Sequence, residues 1–148
     1  MTNPKARILE DDADILDLLA NSHRVAVIGI KPESHATKPA YQVPKTLQEK
    51  GYEIVPVPVY FPEVEEILGE PVYRAVADIP GDVDIVDVFR RPDDIPAHVP
   101  DILAKKPKAV WFQLGIRNDE AAKTLVEAGI TVVQNRCIKI EAQNLEER

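Results

Sequence analysis

Cysteine, methionine and tryptophan each occur once in the 148 residues, and aromatic residues make up only 5%. The lone cysteine, Cys137, excludes an intramolecular disulfide and a cysteine-rich metal site. The three histidines show no HxxxH or HExxH spacing, so no pair has metal-ligand geometry. No apolar run approaches the roughly 20 residues of a membrane helix. The first residues, MTNPKARILEDDAD, are polar and acidic where a secretory leader needs an apolar core. A cytoplasmic protein with no membrane partner is the expectation. Positive charge is also in deficit, with 18 Lys and Arg against 25 Asp and Glu and a net charge of −7. That balance argues against nucleic acid as a partner.

Glycine is scarce at six residues, whereas there are thirteen prolines, clustered near predicted strand ends. Such prolines make rigid loops on the rim of a sheet. The length fits one domain, residues 1–148. A chain of this size buries roughly 68–70% of its unfolded surface. The N-terminal segment, 1–22, carries an amphipathic helix over Asp11 to Asn21. Val25 to Ile28 is an apolar run without a polar face, as expected of a strand buried on both sides of a parallel sheet. Gly29 ends it. A helix follows over roughly Tyr41 to Lys50, with Gly51 at C′ and Pro44 an awkward interruption. Strands are predicted at Glu53 to Val59, Val83 to Phe89, Ala109 to Gln113 and Ile130 to Val133. Glu70 to Tyr73 reads as a brief strand and Arg74 to Ala77 as a helical turn. Helices are predicted at Pro92 to Lys105, Asp119 to Ala128 and Ile138 to Arg148. The alternation predicts an α/β fold, a single doubly wound, Rossmann-like parallel sheet with flanking helices.

In such sheets ligands bind outside the carboxyl ends of the strands. Lys31, Ser34 and Lys38 follow the first strand, and Arg90 and Arg91 follow the Val83 strand. Gln113, Gly115 and Arg117 follow the Ala109 strand, and Asn135 and Arg136 follow the last. A basic rim on an acidic chain is the footprint of a small anionic ligand. The dinucleotide fingerprint G-x-G-x-x-G is not met, because Lys31 and Ser34 stand where its second and third glycines belong. No acidic residue ends the second strand to hold a ribose, and a Walker A motif is absent. An NAD- or nucleotide-sensing domain is therefore the lesser alternative.

The blocks VAVIGIKPES, QVPKTLQEKGYEIVPV after Tyr41, LGEPVYRAVADIP, VDIVDVFRRP, AVWFQLGI and EAGITVVQNRC occur in this order from about Arg24 to Leu145. As a set the chain resembles the stand-alone CoA-binding domain proteins. These are Rossmann-like and similar to the N-terminal domain of the succinyl-CoA synthetase alpha subunit and of ADP-forming acyl-CoA synthetases. The resemblance implies that coenzyme A or an acyl-CoA is the ligand. Gly29, Ile30, Lys31, Pro32 and Ser34 would hold phosphates, and Val57, Pro58, Val59 and Tyr60 would meet the adenosine. Phe89, Arg90, Gln113, Gly115 and Ile116 would border pantetheine or the remaining phosphate. Lys38, Tyr41, Arg117 and Arg136 complete the expected site, the cations supplying charge-assisted hydrogen bonds. The family's usual Asn-Pro pair at the end of the second strand is replaced here by Pro58-Val59.

The related synthetases use a phosphorylated histidine in a separate domain. Here His23 precedes the first strand, His35 is expected exposed in a loop, and His98 is expected solvated in mid-helix. Asp84 and Asp87 are an odd number of positions apart and face opposite sides of a strand, so they form no catalytic dyad. Asp87 is expected to cap a helix or orient a loop. Cys137 is expected to pack at the end of the last strand, with a mixed disulfide to a CoA thiol as the alternative. A non-catalytic CoA-binding protein is the leading expectation. An acyl-CoA-handling component acting with a partner subunit is the second. A protein partner or a homo-oligomer is compatible with either.

Overall fold

The computed structural model describes residues 6–148; the first five residues of the N-terminal segment lie outside the described residues. Five parallel strands form one sheet: β1 (Arg24–Ile28), β2 (Glu53–Val57), β5 (Ile85–Val88), β6 (Ala109–Phe112) and β7 (Thr131–Val133). Their spatial order is β2-β1-β5-β6-β7. A small antiparallel hairpin, β3 (Glu66–Ile67) and β4 (Glu70–Pro71), turns through Leu68 and Gly69, both at positive φ. The helices are α1 (Asp12–Ala20), α2 (Pro39–Glu49), α3 (Val99–Lys105), α4 (Asp119–Glu127) and α5 (Ile138–Glu146).

Period-two alternation divides the strand residues between two cores. Val25, Val27, Ile85 and Trp111 pack with Ile15 and Leu19 of α1, Val43 and Leu47 of α2, and Ile138 of α5. Ala26, Ile28, Val86, Val88 and Phe112 pack with Ile102 of α3 and with Ala122 and Leu125 of α4. The fold is thus a doubly wound α/β sheet, as the alternation of elements predicts. Asp11 and Asn118 accept backbone hydrogen bonds as the N-caps of α1 and α4. At the sheet margin, Leu9 donates its N–H to the Val132 carbonyl and covers the edge of β7.

Several elements end earlier than their apolar patterns suggest. β2 stops at Val57, before Pro58. Pro56 is tolerated because β2 is an edge strand. Its carbonyl points outward and accepts from Tyr73 N–H, so the missing N–H falls on the unpaired side. The brief strand near Glu70 is only two residues long, and the turn expected at Arg74 to Ala77 is a 3-10 turn at Val76–Asp78. The helix expected from Pro92 is a 3-10 segment over Pro92–His98 before α3 begins, because Pro96 and Pro100 lack the N–H groups that α-helical bonding needs.

Pro44 lies inside α2 without stopping it. The carbonyl of Ala40, which the residue at position 44 would normally bond, instead accepts the N–H of Lys31 at 3.1 Å. The proline therefore releases an acceptor that ties the loop after β1 to the helix.

That loop begins at Gly29, with φ of +84°. A Cβ there would collide with the Phe89 carbonyl oxygen just beyond β5. Gly29→Ala should therefore lose more stability in urea unfolding than Gly51→Ala, whose site at φ +102° is open. The left-handed backbone alone costs about 1–3 kcal/mol; equal losses for the two variants would contradict the close approach.

Asp87 of β5 is fully buried, in register between Val27 and Trp111. Burial pushes its carboxyl up from 3.8 to about 8, against the opposing pull of the Gln113 side chain and the Val88 amide. Between those values the folded protein keeps a proton that the unfolded chain releases. The contribution is fully present below the ordinary carboxyl value and is lost as pH rises to about 8. Asp87→Asn should gain melting temperature over wild type progressively from about pH 5 to about pH 8. A difference independent of pH would show that Asp87 does not titrate in this way.

Candidate functional site

A cleft of about 690 Å³ opens at the carboxyl ends of the strands. Its size falls in the range of small-molecule sites. The strand order is the flavodoxin-like arrangement, in which the chain reverses direction beside β1. The cleft is centred on that switch point, between Gly29, Ile30 and Lys31 after β1 and Phe89, Arg90 and Arg91 after β5. Val59, Tyr60 and Phe61 after β2 form one end. Gln113, Leu114 and Ile116 after β6, with Cys137 and Ile140 at the start of α5, form the other. Lys38, Pro39, Ala40 and Val43 of the α2 amino end close a side.

The cations differ in how they are held. Among the described residues neither Lys31 nor Lys38 has an ion-pair partner. Arg90 is fixed on three sides. Its Nε donates to His98 Nε2 at 3.2 Å, its Nη2 lies 3.7 Å from Asp94, and its guanidinium lies 5.7 Å from the Tyr60 ring centre. His98 is half-buried rather than solvated. Burial and then the Arg90 charge hold its pKa down, which leaves the ring nitrogen able to accept. Asp94 also pairs with Arg91 at 3.3 Å. Arg74 shapes the Tyr60 end: its guanidinium bonds the carbonyls of Tyr60, Phe61, Pro62 and Val64. Phe61, at φ +63°, meets the His35 ring edge-on at 4.8 Å.

Of the residues expected from sequence, the cleft brings together Gly29, Ile30, Lys31, Lys38, Val59, Tyr60, Phe89, Arg90, Arg91, Gln113 and Ile116. The others lie elsewhere for identifiable reasons. Pro32, Tyr41 and Pro58 are buried behind the wall. Val57 is a strand residue whose carbonyl accepts from Gly29 N–H. Ser34 faces outward, with its hydroxyl 3.0 Å from His35 Nδ1. Gly115 is outside the cleft lining and donates its N–H to Asn135 Oδ1 at 2.7 Å. Arg117 pairs with Asp119 at 2.9 Å. Arg136 pairs with Asp12 at 2.7 Å and Glu141 at 3.4 Å, and donates to the Glu10 carbonyl. Arg136 thereby fastens the N-terminal segment to α5, and its carbonyl takes the Trp111 indole N–H. Both arginines face a neighbouring hollow of about 520 Å³ that shares Leu114, Cys137 and Ile140 with the main cleft. The loop after β1 also differs from an open phosphate cradle, because the Lys31 N–H is already committed to Ala40.

Pro39, Ala40, Val43, Phe61, Asp94, Leu114 and Ile140, not expected from the sequence, line the cleft as well. An available signal was the position of Pro39, Ala40 and Val43 on one side of a helix starting beside the loop. Cys137, expected as packing, is half-buried on the cleft wall. Asp87 accepts from Gln113 Nε2 and so orients a residue of the loop after β6.

Among the described residues no helix is long and apolar enough to cross a membrane. Residues 23–143 match the CoA-binding domain family. The chain is 37% identical over 128 residues to the uncharacterized protein YneT of Bacillus subtilis (strain 168), spanning 86% of this chain and 91% of that protein. A solved structure from Thermus thermophilus is 38% identical, with a TM-score of 0.83 over 92% of this chain and 99% of its own. A hypothetical protein from Pyrococcus horikoshii OT3 is 35% identical, with a TM-score of 0.83 over 99% of each chain. The dinucleotide-forming acetyl-coenzyme A synthetase 1 of Ca. Korarchaeum cryptofilum shares the fold at 20% identity, with a TM-score of 0.65 over 79% of this chain and 26% of that one. By the extent of the domain match and the likeness to YneT, this chain belongs to the CoA-binding domain family.

Proposed function

We propose that the cleft binds coenzyme A or an acyl-CoA, and that the protein is a cytoplasmic binding module without catalysis of its own. The observation that carries this reading is the polarity of the cleft along the strand order. Two aromatic rings, Tyr60 and Phe61, stand with Val59 at the β2 end. Lys31, Lys38 and Arg90 stand near the β1–β5 switch point. Leu114, Ile116 and Ile140 make the β6 and α5 end apolar. An adenosine, a group of phosphates and a pantetheine arm follow one another in that order in CoA. From β2 to β6 there are three strand spacings of about 4.8 Å, a path of about 14 Å along which an extended ligand can lie.

The make-up of the lining supports the reading without catalysis. No histidine lines the cleft among the described residues, and its only carboxylate, Asp94, is committed to Arg90 and Arg91. Among the described residues the Cys137 thiol makes no hydrogen bond to a histidine or a carboxylate, the contact that would activate a nucleophile.

Calorimetry with CoA, acetyl-CoA, NAD and ATP tests the ligand class, and saturable NAD binding without CoA binding would sink the proposal. Lys31→Ala and Arg90→Glu should each weaken CoA binding by about 1.5–3 kcal/mol, the worth of a charge-assisted contact. Arg117→Glu, away from the cleft, should leave the affinity near that of wild type. If the first two variants bind CoA as wild type does, the site lies elsewhere.

A further inference from the structure

Asp87 Oδ2 is the one side-chain polar atom among the described residues that is sealed from solvent without a hydrogen-bond partner. The other carboxyl oxygen, Oδ1, accepts from Gln113 Nε2 at 2.5 Å. Gln113 is only 5% exposed and lines the cleft. Its amide oxygen Oε1 is not among the sealed, unpartnered atoms and takes no hydrogen bond from the described residues, so it opens on the cleft.

An acid in this place is costly. An apolar side chain between Val27 and Trp111 would leave no orphaned oxygen. What the acid supplies is a fixed acceptor for one end of the Gln113 amide. A freely rotating amide would present NH2 or oxygen to the cleft in turn, whereas this one presents oxygen.

We infer that Asp87 is a positioning residue that locks Gln113 with its amide oxygen toward the cleft, as the acceptor for an amide N–H of a pantetheine arm. This rests on the cleft being a CoA site and assigns the recognition of that arm within it.

The test compares CoA with adenosine 3′,5′-bisphosphate, which lacks the arm, by calorimetry. Asp87→Leu and Gln113→Met should lose about five- to tenfold in CoA affinity, the effect of one neutral hydrogen bond. Their affinity for the bisphosphate should stay unchanged. Asp87→Asn, which still offers a carbonyl oxygen to Gln113, should restore CoA binding. Unchanged CoA affinity in Gln113→Met overturns the inference by itself, whether or not Asp87→Leu folds. So does an Asp87→Leu variant that loses both ligands equally, or a wild type that binds both equally. A wild type that binds neither ligand would overturn the CoA reading instead.

Discussion

The carboxyl ends of β1 and β5 approach so closely at Gly29 that no side chain fits between that residue and the Phe89 carbonyl. The rest of the cleft is arranged about this contact. It brings the two loops that carry Lys31 and Arg90 to opposite lips of one opening. Gly29 N–H is bonded to Val57, so the same residue joins β2 to the switch point. Three strand ends are therefore coupled through one residue without a side chain. Its left-handed backbone turns the chain out of the sheet toward α2.

Around that contact the charges are sorted by the reach of their neighbours. Arg117 and Arg136 have carboxylates within hydrogen-bond distance and act as structural ties. Lys31 and Lys38 have none among the described residues and remain available to an anion. Arg90 is intermediate: its partial pairing with Asp94, its bond to His98 and its stacking on Tyr60 orient the guanidinium. An oriented arginine loses less entropy on binding than a free one. In this way an acidic chain keeps a local region for an anionic ligand.

The layout of the fold was legible in the sequence because strand burial is written locally. Val25 to Ile28 and Ala109 to Phe112 are apolar on both faces, and glycines or caps mark the helix ends. The centre of the cleft was legible for the same reason, since Gly29, Lys31, Arg90 and Gln113 directly follow strands. What local reading could not supply was pairing across long separations. Arg136 is removed from the cleft by Asp12, 124 positions away, and Arg90 is steadied by a histidine beyond a run of prolines. Proline misled most, because it acts through the hydrogen bond it omits. Pro96 and Pro100 turned one expected helix into two segments, while Pro44 left α2 continuous.

Pro44 has a consequence for how this protein could be altered. An alanine at that position would be a better helix former and would restore an N–H facing the Ala40 carbonyl. The helix would then compete with the loop for one acceptor, and the Lys31 backbone would lose its anchor. A change that improves the thermostability of α2 would loosen the lip of the cleft. Helix strength and loop order are in opposition here, and the proline decides between them in favour of the loop.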